Sequence, residues 1–578
     1  MAWGDWRMLV ATYLRPHKKL VAQLAAVLLV TIGLQVATPQ VVRLFIDRAT
    51  ARTARPLGWL SVLYIGAVVL QQGFRVVTAW LSEVVGWLTT NELRADLMAH
   101  CLGLDPAFHQ EHPPGALIER IDGDLNGLSL FFAEFLLNVV GNVLLLVGVL
   151  AVVWIQNAFA GLVLTAFALG AAGLLLIVRR ISAKAWGKSR AASAELFGFL
   201  EERLAGTEDI RSSGAEAFTM RGFYGRARDR LWTTSHARVV DAIPQSVSGA
   251  IRSACTAVSF ALPAYLVGQG RLTVGAAFAI YFYAQVLLQP LSNVSRQVEQ
   301  LQVAIAGGRR VLELLARRSD VVDGEGAPLA AGSLGVAFNH VSFGYGTDPD
   351  VLHDVCLSVA PGEVLGVVGR TGSGKSSLAK LLVRLYDPRA GAVLLDDVDI
   401  RRLRRSQLRS RVALVTQEVR VLRASVRDNL TLFDPTIADA AVEAAIGQLG
   451  LGPWFAALPD GLDTMVREGG AGLSAGESQL LSFGRAFLAD PAVVILDEAS
   501  SRLDPATELI LEQAVDRLLA GRSAIVIAHR LSTLDRCDSV CVLDHGRVVE
   551  HGDRVTLAAD ESSRFGLMLR AGLDVVAG

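Results

Sequence analysis

At 578 residues the chain exceeds what one hydrophobic core supports, since single cores stop growing near ~250–300 residues, and a one-domain reading is excluded. Hydrophobic residues make up 52% of it and charged residues 19%, averaged over two unlike parts: long apolar runs up to about residue 305 and a soluble-domain pattern beyond about residue 335. A formal net charge of −1 lends nothing to nucleic-acid binding, and the five cysteines (Cys101, Cys255, Cys356, Cys537 and Cys541) offer no CxxC pair and no zinc-ligand spacing, which fits reduced structural thiols.

Residues 1–18 lack the small-residue cleavage site of a signal peptide and read as an amphipathic interfacial helix anchored by Trp3, Trp6 and Tyr13. A membrane domain is expected over 19–310. It holds six apolar stretches of the ~20 residues that a bilayer span needs, at roughly 20–46, 57–86, 129–155, 157–179, 243–268 and 273–298. Pro39, Pro244 and Pro290 fall inside three of them, which packed membrane helices tolerate. The connections after the second and fourth stretches are long, polar and helical in pattern; the others are short. Arg7, Arg15, Lys18 and Lys19 precede the first span, and Arg179, Arg180, Lys184, Lys188 and Arg190 follow the fourth. The positive-inside rule then puts the N terminus and both long connections in the cytoplasm, although Arg48, Arg52 and Arg55 pull the other way.

Ionisable groups inside spans are costly, and so are candidates for a transport path. Glu134, Asn138 and Asn142 fall at i, i+4 and i+8, on one helix face. Arg75 in the second span lies at comparable depth, so a Glu134–Arg75 pair lining a cavity is expected, with a purely structural ion pair as the open alternative. Arg252 in the fifth span is a weaker candidate.

A linker rich in Gly, Ala and Asp spans 311–333, and from 334 to 578 the pattern changes. The runs VLGVVG and VVILDEAS are short and apolar and end in Gly or acidic residues, as buried parallel strands followed by helices do. Between the first of these runs and a helix lies GRTGSGKSS, comprising Gly369, Arg370, Thr371, Gly372, Ser373, Gly374, Lys375, Ser376 and Ser377. It satisfies G-x-x-x-x-G-K-[ST] in the strand–loop–helix context that motif requires. Glycines let backbone amides cradle phosphates, Lys375 bridges the β- and γ-phosphates, and the Ser376 hydroxyl reaches Mg²⁺. Asp497, at the end of the second apolar run, suits Mg²⁺, and Glu498 is placed to orient and deprotonate a water. Upstream, Ser474-x-x-Glu477 in AGLSAGESQLL has the spacing of a capping box.

With these motifs in this order, the chain resembles the ATP-binding cassette (ABC) transporters, and more narrowly an exporter-type half-transporter. The resemblance covers nearly the whole length. It implies a membrane α-helical domain with cytoplasmic extensions, joined to an α/β P-loop NTPase domain with a helical subdomain. It also implies that Tyr345 stacks on adenine, Gln417 contacts Mg²⁺ in the Q-loop, Ser501 and Asp504 belong to the D-loop, and His529 is the switch residue near the γ-phosphate. The segments near 105–112 and 212–220 look like the family's coupling helices. Ser474, Ala475, Gly476 and Glu477 fall in the signature, usually read LSGGQ, which faces the ATP held by a second subunit.

Two signature residues depart from that pattern. Ala475 adds a methyl where backbone approaches phosphate, and Glu477 brings a carboxylate towards a triphosphate. Arg467 upstream also stands where the family often has Gly. Since Lys375, Asp497, Glu498 and His529 keep the family's residues, the expected assembly is a heterodimer with a second half-transporter, in which LSAGES closes a slow site; a homodimer tolerating both variants is the alternative. The function implied is ATP-driven transport of a small molecule, lipid or peptide across a cytoplasmic membrane, with ATP and Mg²⁺ bound and no nucleic acid. An ATP-gated regulatory subunit and an importer of exporter fold are the competing readings, and no residue fixes direction or substrate.

Overall fold

The computed structural model describes residues 11–51, 57–134, 139–417, 419–467, 473–497, 505–528 and 531–570. The chain divides into two compact units, Met1–Leu102 with Pro114–Arg317, and Gly103–Pro113 with Arg318–Gly578.

The first unit is helical because a helix lets each long apolar run satisfy its backbone within itself, as lipid requires. Among the described residues, five helices are long and apolar enough to cross a bilayer: Lys18–Thr50, Gly58–Gly103, Val139–Gln156, Ala158–Ala205 and Glu216–Gly268. The stretch expected at 273–298 lies in Val274–Ala316, whose apolar portion among the described residues includes Val274–Leu288. Gly58–Gly103, Ala158–Ala205 and Glu216–Gly268 run 46, 48 and 53 residues. At 1.5 Å per residue they reach about 69–80 Å, more than twice the ~30 Å hydrocarbon layer, so they continue well past it.

Side-chain caps set the short connections: Asn157 Oδ1 accepts from the Ala160 amide at 3.0 Å, and Thr273 Oγ1 from the Ala276 amide at 3.1 Å. Pro39, Pro244 and Pro290 sit inside continuous helices, as does Pro263. The buried Tyr283 hydroxyl donates to the Val36 carbonyl and accepts from Gln40 Nε2, both at 2.7 Å, so this buried hydroxyl is paired as donor and as acceptor. Large apolar side chains stay exposed along Gly58–Gly103, Val62, Val69 and Val76 among them, as lipid-facing or subunit-facing surface does. Tyr13 donates to Asp96 Oδ2 at 2.8 Å, whereas Trp3 and Trp6 lie outside the described residues.

Where the pattern expected a short crosswise helix near 212–220, the structure has a six-residue helix at Thr207–Ser212, between Gly206 and Gly214. Gly214 takes φ +62°, which reverses the chain, and Glu216 already opens the long helix Glu216–Gly268. The other short helix, Pro106–Glu111, belongs to the second unit and is capped by Asp105, whose Oδ1 accepts from the Phe108 amide at 3.1 Å.

The second unit is built on two sheets. The smaller is antiparallel, in the order β2 (Leu352–Val359), β1 (Val336–Phe343), β4 (Ala390–Leu395), β5 (Val398–Asp399). The larger runs β10 (Arg547–Asp553), β9 (Ser539–Asp544), β3 (Val364–Val368), β8 (Ser523–Ile527), β7 (Val493–Asp497), β6 (Val412–Val415). From β9 to β6 the neighbours are all parallel, and β3 and β8 are buried along their whole length, which accounts for their uninterrupted apolar sequence. One core joins Leu378, Leu381, Phe338 and Leu357; another joins Leu480, Phe483, Leu511 and Leu518.

The chain after Arg317 is laid along this unit. Asp320 N donates to Asp105 Oδ2 at 2.8 Å, Gly324 N to the Leu403 carbonyl at 3.2 Å, and Gly326 N to the Arg402 carbonyl at 3.0 Å. Asp323 accepts from the Arg405 amide at 2.6 Å, and that hydrogen bond holds its carboxyl below the usual range. Arg384, 4% exposed, donates to the Val322 carbonyl at 2.7 Å and pairs with Asp387 at 2.9 Å.

Candidate nucleotide-binding site

The parallel strands bring their carboxyl ends to one edge of the sheet, where open α/β folds bind ligands. Three predicted residues or motifs meet that edge: the loop Gly369–Gly374 after β3, Gln417 after β6, and Asp497 at the end of β7. Gln417 is exposed and Asp497 half-buried.

The glycines of the loop have distinct physical reasons. Gly369 has φ +156°, and a Cβ there would lie 2.0 Å from the Leu543 carbonyl oxygen. Gly374 has φ +102°, and its Cβ would lie 2.5 Å from Leu352 Cδ2. Gly372, at φ +82°, has open space around it and is required by conformation alone. Lys375 is buried, and its ammonium donates to the Gly369 carbonyl at 2.6 Å and the Arg370 carbonyl at 3.0 Å.

The residues present fit a phosphate. The helix Lys375–Leu382 starts on Gly374 with no side-chain cap, so its positive end is open to an anion. Ser373 Oγ is buried without a hydrogen-bond partner in the same loop. Arg370, Thr371 and Ser376 are exposed and Ser377 buried. The Ser377 hydroxyl lies 2.9 Å from that of Tyr345, whose ring is edge-on to Tyr386 and carries Lys380 Nζ 5.4 Å from its centroid. Tyr345 is thereby tied to the first turn of the helix that follows the loop. Glu498, Ser501, Asp504 and His529 lie outside the described residues.

The signature helix, Ala475–Leu488, is finished differently. Ser474 Oγ accepts from the Glu477 amide at 3.1 Å, and Glu477 Oε2 accepts from the Ser474 amide at 2.6 Å, a complete capping box. Gly476 is buried beside it, and the side chain of Ala475 lies outside the described residues. Arg467 is exposed. In the membrane unit Arg75 and Arg252 are exposed on the single chain and Asn142 lies near the start of the helix Val139–Gln156. The expected Glu134–Arg75 pair falls on a Glu134 side chain outside the described set, as does all of Asn138.

Residues 23–291 match the ABC transporter transmembrane region family, and residues 352–501 the ABC transporter family. A mouse protein, ATP-binding cassette sub-family B member 10, mitochondrial, is 31% identical over 82% of this chain and 68% of its own. The chain belongs to the ABC transporters. An ATP-dependent lipid A-core flippase of Thiobacillus denitrificans is 29% identical to this transporter over 95% of each chain. The fold is that of a bacterial Atm1-family ABC exporter with ATP bound, at TM-score 0.80 and 23% identity, covering 96% of the transporter and 98% of that chain. The transporter is a multi-pass membrane protein of the exporter type, an ATPase whose hydrolysis drives transport, and it works as a dimer.

Proposed function

We propose that this chain is one half of a heterodimeric exporter in a cytoplasmic membrane, with one working and one slow nucleotide site. The observation that carries the reading is the Glu477 carboxylate at the helix start that the family turns towards a partner's ATP; its hydrogen bond to the Ser474 amide holds it back on its own helix and lowers the cost without removing the charge. At ~6 Å and an effective dielectric near 20, that charge would cost about 3 kcal/mol against a phosphate before screening.

In this reading Lys375 and the loop amides hold the phosphates, and Tyr345 stacks on the adenine. Ser376, Gln417 and Asp497 are the residues that would hold Mg²⁺, which supplies charge neutralisation when bound. Glu498 positions and deprotonates the attacking water, and His529 contacts the γ-phosphate. Ser501 and Asp504 serve the D-loop. Arg75, Glu134, Asn138 and Arg252 line the transport path.

The deciding experiment is ATPase activity of the purified chain alone in lipid nanodiscs, with Glu498→Gln as control. We expect little turnover alone and restoration by a co-expressed second half-transporter, with Glu498→Gln lowering the restored rate by ~10²-fold or more. Robust, Glu498-dependent turnover of the chain alone would instead mean a homodimer, in which the capping box draws Glu477 back far enough for LSAGES to close a competent site.

A further inference from the structure

β1 and β2 meet across two irregularities, and these gather three side chains that nucleotide binding does not use. Register runs Phe338–Leu357, then Val341–Val355, then Phe343–Leu352. Asn339 and His340 therefore oppose the one residue Cys356, while Asp354 falls in the extra step on β2. His340 and Asp354 both take φ of +51°. Asp354 and Cys356, two apart on β2, share its exposed face. The backbone beneath is tightly held, since a Cβ on Gly391 would lie 2.2 Å from the His340 carbonyl oxygen.

The result is convergence on one ring nitrogen. His340 Nδ1 lies 2.7 Å from Asp354 Oδ1 and 3.5 Å from Cys356 Sγ, and the three ligand atoms lie within 4.8 Å of one another. A proton on Nδ1 serves one neighbour at a time; a cation serves both.

We propose that His340 Nδ1, Asp354 Oδ1 and Cys356 Sγ form a zinc site on the nucleotide-binding unit. Zinc takes nitrogen, carboxylate oxygen and thiolate at about 2.0–2.3 Å, which sets tetrahedral ligands roughly 3.3–3.8 Å apart. The nitrogen–sulfur separation already falls in that range, and the nitrogen–oxygen pair has only to open by some tenths of an ångström. Imidazole with thiolate selects zinc over the hard cations magnesium and calcium. Binding releases the thiol proton, and any proton on Nδ1, to solvent, the metal stays divalent, and water takes the fourth position because all three side chains are exposed. The ion would staple β1 to β2 five residues before Tyr345, stiffening the strand that leads to it.

Cys356 is the exposed cysteine of the five, the other four being buried, so its alkylation reports on the site directly. The experiment uses the full chain in nanodiscs after chelator treatment and compares the rate of Cys356 modification by a bulky maleimide with and without equimolar Zn²⁺. Co²⁺ absorption is recorded alongside. We expect zinc to slow alkylation at least about tenfold and cobalt to give a thiolate-to-metal charge-transfer band, with both effects lost in His340→Asn and Asp354→Asn. Asparagine is chosen because it tolerates the left-handed backbone at both positions. An unchanged alkylation rate in the wild-type chain overturns the proposal without any variant. So does protection that persists in both asparagine variants, which would mean adventitious binding by the thiol alone.

Discussion

Two helices of the nucleotide-binding unit have their positive ends treated in opposite ways. The helix Lys375–Leu382 starts on a left-handed glycine with no side-chain cap, leaving its first turn for an anionic ligand. The helix Ala475–Leu488 starts on Ser474, and its own Glu477 already supplies a negative charge and an acceptor. Both ends carry the same partial positive charge from the peptide dipoles. What separates an anion site from a self-sufficient helix start is therefore the choice of residue at the cap and three positions on. The first arrangement leaves a helix end open to an anion, and the second, in the function proposed above, weakens what this chain offers to a partner.

The strongest challenge to that contrast is Lys375→Ala. Removing a buried ammonium that points into the loop should lower ATP affinity by about 10²-fold, read as binding of a fluorescent nucleotide. Unchanged affinity would mean that the uncapped helix start suffices by itself. Next comes Glu477→Gln, which keeps the box and removes the charge. Read in a dimer that also carries Glu498→Gln in this chain, it should raise turnover at the partner's P-loop roughly tenfold, the cost estimated above being reduced by screening. If turnover stays flat, the carboxylate is not what slows that site.

Two glycines sharpen the open end of the comparison. Gly369→Ala places a methyl 2.0 Å from a backbone oxygen, whereas Gly372→Ala meets nothing within 4 Å and pays only for its φ of +82°. Losses of about 2–4 and 1–2 kcal/mol respectively are expected in thermal unfolding. Equal losses would refute the steric account of Gly369.

The smallest effect is alkaline. Burial pushes the Cys537 and Cys541 thiols up to about 12. Unfolded thiols ionise near ~8.5–9, so between there and about 12 the unfolded state holds fewer protons than the folded one and stability falls as pH rises. Between pH 8 and 9.5 the decline should be about 1 kcal/mol for each thiol, and Cys541→Val should remove about half of it. A slope unaltered by that substitution would assign the decline to other groups.

Much of this was legible in the sequence because the relevant signals are local. Gly369, Gly372 and Gly374 read as a phosphate loop, and each has the positive φ that a loop of that shape imposes. Ser474-x-x-Glu477 read as a capping box because both partners lie within one helical turn. Apolar runs located the long helices of the membrane unit, since hydropathy averages over twenty residues. The helix at Thr207–Ser212 was displaced because residues 212–220 keep a helical pattern across Gly214, and only the backbone reversal there separates two helices. The cluster of His340, Asp354 and Cys356 was invisible, because cysteine spacing cannot register two bulges that bring residues 14 and 16 positions apart together.

The stretch after Val274–Ala316 also has a mechanical meaning. Helical structure ends at Ala316, and the Asp320 amide is already bonded within the second unit, so only Arg317, Arg318 and Ser319 are left between the two fastenings. The four steps from Ala316 to Asp320 reach no further than ~14 Å when fully drawn out. Any separation of the helix end from Asp320 beyond that length has to break the Asp320–Asp105 bond or pull on the last turn of the helix before it.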